Sequence, residues 1–209
     1  SFCRKIFGGF MGQARQTAGR LPDLRITGGL LKGRRVPVPP GLIRPSMDRM
    51  RESVFAALGD LTDRSFLDIF SGTGIIALEA ASRGARYIEA VEMDSLKRKA
   101  IIDNVSISPV RIHCRFMAAE LYVERAKRSF DYIFLDPPFP YRFKWELVRN
   151  IASSPLSGDG TQILLHRPRE DFSDEDIPFT QKGAPRTYGR SVVEFLVVRK
   201  EDPKILEKT

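Results

Sequence analysis

Apolar and polar residues alternate in blocks over the middle of this chain, and the blocks predict its fold. Between residues 66 and 166, short apolar runs are separated by longer stretches whose apolar residues recur at helical spacing. The predicted strands cover 66–70, 87–91, 110–114, 132–135 and 163–166, and the predicted helices cover 75–83, 95–107, 118–128 and 145–152. Strands that alternate with helices along a chain form a mostly parallel sheet, so the predicted fold class is α/β.

The two ends of the chain follow a different pattern. Residues 24–27 and 35–38 flank a glycine-containing turn and predict a hairpin, and the apolar spacing of residues 47–58 predicts a helix after it. Residues 180–188 and 191–199 predict two neighbouring strands without a helix between them. We therefore expect antiparallel pairing at one edge of the sheet.

Basic residues are concentrated near the N-terminus. Residues 1–60 contain eleven Lys and Arg residues against four Asp and Glu residues, a surplus of seven out of a net charge of +8. This asymmetry indicates a polyanionic partner, with nucleic acid ahead of a membrane surface, and a solvated basic face is the alternative interpretation. The expected segments are a flexible arm at 1–23, a basic hairpin and helix at 24–60, an α/β domain at 61–200 and a tail at 201–209.

Cysteine usage and hydropathy narrow the setting. Cys3 and Cys114 have neither metal-ligand spacing nor a disulfide framework, which is typical of proteins of the reducing cytosol. No apolar run approaches the length of about 20 residues that spans a bilayer. We expect a globular, cytoplasmic protein that binds no metal and no membrane.

A glycine-rich turn follows the first predicted strand of the α/β region. Gly72, Gly74 and Ala77 form a Gly-x-Gly-x-x-Ala pattern that lets the backbone approach a ligand at a helix N-terminus. Glu92 ends the next predicted strand, at the distance along the chain where an acid that binds ribose is expected. The two features together predict a site for a nucleotide-like cofactor.

Two cofactors fit this pattern, a dinucleotide and S-adenosylmethionine. Asp68, within the strand before the turn, favours S-adenosylmethionine, because a carboxylate attracts its ammonium and sulfonium groups and repels a pyrophosphate. The alternative interpretation is that Asp68 is a structural acid bonded to amides of the loop.

A rigid turn follows the fourth predicted strand, with the sequence Asp136-Pro137-Pro138-Phe139. Two prolines cannot continue a strand, because neither has an N–H to donate and both fix φ near −65°. The turn offers a carboxylate, backbone carbonyls and an aromatic ring at the carboxyl end of a strand, where open α/β sheets bind ligands. We expect Asp136 and the Pro137 carbonyl to hold a planar amino group and Phe139 to stack on its ring.

The motifs at 67–74, 92–94 and 136–139 resemble those of the S-adenosylmethionine-dependent N-methyltransferases of the Rossmann class. The segments at 25–29, 32–34 and 44–52 are similar to those of the bacterial enzymes that methylate the 2-amino group of one guanine in 16S ribosomal RNA. The resemblance runs from about Leu24 to Arg199. It implies a Rossmann-like class I methyltransferase fold, with a mostly parallel seven-stranded sheet, an antiparallel edge strand and an N-terminal hairpin and helix extension.

The resemblance also implies how S-adenosylmethionine is held. Asp68, Gly72 and Gly74 would line its methionine part, Glu92 would bind the ribose, and Met93 would pack against the adenine.

Family members commonly carry an acid after the third strand that binds the adenine amino group, and residues 114–117 contain none. Phe116 and Met117 are expected to replace it through backbone groups and ring packing.

On the substrate side, the resemblance implies a guanine held in the proline turn, with Tyr141 as a possible wall of the pocket or a packing residue. His113 and His166 are interpreted as structural, because they lie on or beside predicted strands. The candidates for contacts with RNA phosphates are Arg25, Arg34, Arg35, Arg44, Arg49 and Arg51. Because Arg49 and Arg51 stand two apart on a helix, one of them is expected to pair with an acid within the fold.

The expected partner is ribosomal RNA, free or within an assembling small subunit, and the expected state is a monomer. A DNA adenine-N6 methyltransferase with the same pocket is the nearest alternative. A non-catalytic RNA-binding or ribosome-assembly factor is an alternative from another class, and a nicotinamide oxidoreductase comes third.

Overall fold

A computed structural model describes residues 23–38, 48–171, 177 and 180–200 of the chain. The predicted arm up to residue 22, the tail from residue 201 and Arg44 lie outside the described residues.

The described residues form ten strands and five α-helices. The strands are β1 (Leu24–Arg25), β2 (Arg35–Val36), β3 (Ser65–Ile69), β4 (Tyr87–Val91), β5 (Ile112–Arg115), β6 (Phe130–Leu135), β7 (Ser157–Pro168), β8 (Thr180–Lys182), β9 (Arg186–Tyr188) and β10 (Ser191–Val198). The helices are α1 (Asp48–Leu58), α2 (Ile75–Ser82), α3 (Arg98–Val105), α4 (Ala119–Glu124) and α5 (Lys144–Ser153), and a 3₁₀ turn at Ser95–Lys97 precedes α3.

The main sheet has the strand order β5-β4-β3-β6-β7-β10, with β8 and β9 both paired to the remaining edge of β10. The pairs from β5 to β7 are parallel, and β10 is antiparallel to its neighbours. Because β8 and β9 share the last position, the sheet has seven positions. The predicted mostly parallel class I sheet is confirmed, and its antiparallel strand lies one position in from the edge.

The parallel register places the ends of three strands side by side. Ile69 of β3 pairs with Leu135 of β6, and Leu135 pairs with Leu165 of β7. The residues that follow these positions therefore meet at the carboxyl end of the sheet, where ligands bind in open α/β folds. The glycine turn and the proline turn both lie at this end.

Strand β7 begins six residues earlier than the sequence predicts. Its first residues include Gly158 and Gly160, which favour a turn over a strand. The pairing of Ser157 with Phe130 and the long antiparallel ladder with β10 override this local preference. The full length of β7 also carries its far end beyond the last residue of β6.

The N-terminal hairpin and α1 pack into the main core. Ile26, Val36 and Phe55 are buried in the same apolar cluster as residues of α2 and of the sheet. Gly29 has a φ of +75° and lies so close to α2 that an added Cβ would be 1.9 Å from the Ser82 carbonyl oxygen. The basic extension is thus part of one packed body.

None of the helices formed by the described residues is both long enough and apolar enough to cross a bilayer.

Candidate active site

The glycine turn joins the end of β3 to the start of α2. Gly74 caps α2 in the left-handed region, with a φ of 79°, and an added Cβ would lie 2.8 Å from the Val105 side chain. The Gly72 N–H donates to Glu92 Oε2 at 2.9 Å, and the Asp94 N–H donates to Glu92 Oε1 at 2.9 Å. Glu92 is therefore fixed beside the turn, although the chain positions of the two are 20 residues apart.

Asp68 is wholly buried at the carboxyl end of β3. Its Oδ2 accepts hydrogen bonds from the Ser71 hydroxyl at 2.9 Å and from the Ala77 N–H at 3.2 Å. Its Oδ1 has no hydrogen-bond partner among the described residues. The pKa of Asp68 is raised to about 7, mainly by burial and in part by the negative charges of Asp136 and Glu92, against the hydrogen bonds from Ser71 and Ala77 that lower it.

Asp68, Glu92 and Asp136 therefore form a negative cluster at the ends of β3, β4 and β6. A buried acid with an unpartnered oxygen is stabilised in its charged form by a cation placed against it. The donor set fits S-adenosylmethionine, whose ammonium and sulfonium groups are cationic and whose ribose hydroxyls can donate to Glu92. Among the described residues, no group of three His, Cys, Asp or Glu side chains has the arrangement of a metal site.

The residues expected near the adenine lie at the ends of β4 and β5. Met93 is 58% exposed, directly after Glu92. Phe116 is half-buried, and the Arg98 guanidinium stacks on its ring at 4.6 Å from the centroid. Met117 packs against the apolar cluster on the face of the sheet opposite α2. Met93 and Phe116 offer apolar surface to a planar ring, and the adenine contact stays a prediction.

The proline turn continues directly from β6. The Asp136 N–H donates to the Ile69 carbonyl at 3.2 Å, which ties the turn to the end of β3. Pro137 is buried and Pro138 is exposed, and the Pro138 carbonyl accepts from the Tyr141 N–H at 2.8 Å. The Asp136 side chain is 22% exposed. The turn is thus anchored on both sides, with its carboxylate accessible.

Tyr141 packs against the glycine turn. Its ring lies 5.3 Å from that of Phe70, and its hydroxyl donates to Glu120 Oε1. Burial and the bond to the Glu120 carboxylate raise the pKa of Tyr141. Its hydroxyl is engaged within the fold, so any contact with a substrate would use the ring. Its role as a wall of the pocket stays a prediction.

The sequence analysis interprets His166 as structural and does not predict its position beside the proline turn. His166 lies beside Asp136, with 2.7 Å between Nδ1 and Asp136 Oδ1. The strand register explains the contact, because β7 runs past the end of β6. The predicted strand at 163–166 already includes His166, but the sequence does not give the register of that strand against β6.

A cleft adjoins the proline turn on the side away from β3. It is lined by Phe139, Pro140, Arg142, Lys144, Trp145, Glu170 and Asp171. Phe139 of the proline turn thus lines this cleft.

The candidate RNA-binding arginines separate into two groups. Arg34, Arg35 and Arg49 are exposed, and the Arg25 side chain is 40% exposed beside Asp48. Arg51 is wholly buried, so its predicted contact with RNA phosphate is wrong.

The partners of Arg51 show its role. Its Nε donates to Glu79 Oε1 at 3.3 Å, and its guanidinium also pairs with Asp48 and donates to the Arg25 carbonyl. Of Arg49 and Arg51, Arg51 is therefore the one that pairs with acids within the fold.

Comparison with known proteins gives concordant matches. The sequence profile of the family described as "Conserved hypothetical protein 95" matches residues 24–197. The chain is 36% identical over 153 residues to "Ribosomal RNA small subunit methyltransferase D" of Escherichia coli K12, covering 71% of this chain and 77% of that protein. It is 30% identical over 181 residues to "Putative rRNA methyltransferase YlbH" of Bacillus subtilis, covering 79% of this chain and 94% of that protein. Among solved structures, "Putative methyltransferase yhhF" from Escherichia coli aligns with a TM-score of 0.78 at 26% identity, covering 86% of this chain and 100% of that chain.

Proposed function

This chain belongs to the family described as "Conserved hypothetical protein 95", and we propose that it methylates ribosomal RNA. The proposal follows its similarity to proteins named "Ribosomal RNA small subunit methyltransferase D". The methyl donor is S-adenosylmethionine. The acceptor is the exocyclic 2-amino group of a guanine in the small-subunit RNA.

The observation that carries this proposal is the row of carboxylates at the ends of neighbouring strands. Asp68 and Glu92 form one half of the row and suit a cationic adenosine derivative. Asp136, in the proline turn, forms the other half and suits an amine. When bound, S-adenosylmethionine supplies an electrophilic methyl group on a positively charged sulfur. The residues of the chain have to hold the donor and the acceptor in line.

The exocyclic amine of guanine is a poor nucleophile, because its lone pair is delocalised into the ring. Asp136 and the Pro137 carbonyl accept its two hydrogens, which favours a tetrahedral nitrogen with the lone pair directed at the methyl group. Phe139 stacks on the base. Asp136 would accept the proton that the amine loses when it gains the methyl group from S-adenosylmethionine, which would leave as S-adenosylhomocysteine. Positioning of this kind supplies effective molarities of about 10⁵ M or more.

The RNA would extend from the cleft towards the N-terminal extension. Arg34, Arg35 and Arg49 present exposed guanidinium groups there, and Arg25 is partly accessible. Such contacts bind phosphates without reading sequence. RNA offers unstacked bases mainly in loops and single strands, so the target guanine is expected in such a region or in an assembling small subunit. We place this activity in the cytoplasm and assign it to the monomer.

The experiment uses the purified protein with S-adenosylmethionine carrying a tritiated methyl group. Label is expected in small-subunit ribosomal RNA or small-subunit particles and not in plasmid DNA, and mass spectrometry of the digested RNA should give N2-methylguanosine. Label in DNA adenine would favour the DNA methyltransferase instead. Failure to bind S-adenosylmethionine in calorimetry would favour a non-catalytic RNA-binding factor.

Asp136→Asn tests the assigned chemistry. The amide keeps the shape of the side chain but loses the charge, and kcat is expected to fall by about 10²–10³-fold. The matched control is Asp131→Asn, at the opposite end of β6, which should retain activity. Full activity of Asp136→Asn with unchanged binding of S-adenosylmethionine would contradict the assignment.

A further inference from the structure

His166 links two functional residues of the proline turn from a neighbouring strand. Leu165 is the last residue of β7 that pairs with β6, opposite Leu135. His166 therefore lies beside Asp136, and β10 holds it from the other side through Val193. The pairing of β7 with β6 and β10 thus fixes the backbone of His166, so its side chain has a defined place beside the proline turn.

The side chain of His166 contacts both Asp136 and Phe139. Nδ1 is 2.7 Å from Asp136 Oδ1. The imidazole also meets the ring of Phe139 edge to face, with 5.9 Å between centroids and an interplanar angle of 66°. Only 9% of the His166 side chain is exposed, against 22% for Asp136. The imidazole lies behind the carboxylate and the ring, on the side away from solvent.

The two ring nitrogens of His166 have different surroundings. An ionised carboxylate only accepts hydrogen bonds, so Nδ1 carries the hydrogen that lies towards Asp136. Nε2 is buried and has no hydrogen-bond partner among the described residues. The geometry therefore assigns the Nδ1 hydrogen to the bond with Asp136.

The prolines leave one freedom in the turn that this contact removes. Pro137 and Pro138 restrict the backbone, but they do not fix the side-chain torsions of Asp136 or Phe139. A hydrogen bond to Oδ1 orients the carboxylate, and the ring contact orients the phenyl group. A carboxylate accepts several hydrogen bonds at once, so the bond to His166 is compatible with an amine hydrogen.

We propose that His166 is a positioning residue for methyl transfer, which holds the Asp136 carboxylate and the Phe139 ring in the orientation that receives the target base. The inference rests on the proposed methyl transfer at this turn. Because displacement of a reacting group by about 1 Å can lower a rate by about 10²-fold, loss of the contact should affect kcat more than binding.

Two variants separate the hydrogen bond from the packing. His166→Leu introduces an apolar side chain of similar reach and removes the Nδ1–H donor. His166→Asn places an amide N–H where Nδ1 lies and so keeps the donor. The assay is methyl transfer to small-subunit RNA at saturating S-adenosylmethionine, with cofactor affinity from calorimetry and thermal midpoints as the test of folding.

For His166→Leu we expect kcat about 10- to 100-fold lower, with the affinity for S-adenosylmethionine unchanged. His166→Asn should recover activity to within a few-fold of the original protein. Full activity in His166→Leu would overturn the inference, and so would a His166→Asn variant that folds but is as slow as His166→Leu. If the unsubstituted protein transfers no methyl group to RNA, the proposed function fails first, and the positioning role of His166 fails with it.

A measurement without turnover tests the contact itself. Nitrogen-15 NMR of the histidine rings should show a hydrogen on Nδ1 of His166, and Asp136→Asn should shift its Nδ1 resonance. A proton on Nε2 alone, or a His166 signal unaffected by Asp136→Asn, would overturn the inference even if methyl transfer is confirmed.

Discussion

Two acids of this protein are wholly buried within 11 residues of each other in sequence, and their surroundings differ completely. Glu79, on α2, pairs with Arg51 and Arg83 and accepts the N–H and the hydroxyl of Thr27, at 2.8 and 3.0 Å. Asp68, on β3, accepts two neutral hydrogen bonds and keeps Oδ1 without a partner among the described residues.

The difference separates a charge that is neutralised within the fold from one that we propose the cofactor neutralises. Both oxygens of Glu79 are engaged by cations from two different elements, so its bonds lock the N-terminal extension onto α2. In the part of the chain that the structure describes, Asp68 has no cation in its hydrogen-bonding set, and burial, together with neighbouring acids, raises its pKa. A buried acid left in this state is typical of a site that a ligand completes. Helix α2 carries Glu79 and contacts Asp68 through the Ala77 N–H. It thus links the packing of the extension to the proposed cofactor site.

The largest effect is expected at the structural acid. Glu79→Gln keeps the size of the side chain but removes the buried carboxylate that pairs with the wholly buried guanidinium of Arg51, which keeps the partly exposed Asp48. Breaking a buried pair in this way costs about 3–5 kcal/mol of unfolding free energy. Urea denaturation measures it.

Asp103→Asn is the matched control for Glu79→Gln. Asp103 also pairs with a basic residue, Lys99, but their side chains are 57% and 88% exposed. Such a surface pair contributes about 0–1 kcal/mol. Equal losses in the two variants would show that the buried cluster does not hold the extension.

Substitution of Asp68 should have the opposite effect on the free energy of unfolding at neutral pH. Because the pKa of Asp68 is about 7 in the folded protein and 3.8 as its reference value, the folded state binds the extra proton. Stability without cofactor therefore falls as pH rises through this interval, and the cost is complete above the folded pKa. Asp68→Asn removes this dependence. Between about pH 5.5 and about pH 8, the original protein should lose about 2 kcal/mol relative to the variant.

Cofactor binding gives the second readout for Asp68. A cationic ligand favours the ionised form, so binding should release a proton near neutral pH, and affinity should rise between about pH 6 and about pH 8. Calorimetry in buffers of different ionisation enthalpy measures this release. Asp68→Asn should bind more weakly and release no proton. An Asn variant that binds with the original affinity and pH dependence would place Asp68 with Glu79 as a structural acid.

How far the sequence predicts such differences depends on the separation of the partners along the chain. The turns at Gly72 and Asp136 are visible in the sequence, because glycine or proline follows an apolar run directly. The roles of Arg51 and His166 are not, because each depends on a partner 28 or 30 residues away. Arg51 stands in a basic segment beside exposed arginines, and only the packing of α1 against α2 distinguishes it from them.

The smallest effects are expected on the surface of that same segment. Arg34 and Arg35 are exposed in and beside β2, whereas Arg51 is wholly buried. If they contact RNA phosphates, the double variant Arg34→Ala with Arg35→Ala should weaken binding by about 1 kcal/mol per residue. It should also lower the slope of log K against log salt by about 0.7 for each contact. Fluorescence anisotropy with a labelled fragment of the RNA at several salt concentrations measures both. Lys200→Ala removes an exposed positive charge whose Nζ donates to the Ser154 carbonyl, so it should leave the slope unchanged. A double variant with unchanged slope would show that these arginines form a solvated face, and that the RNA-binding surface lies elsewhere.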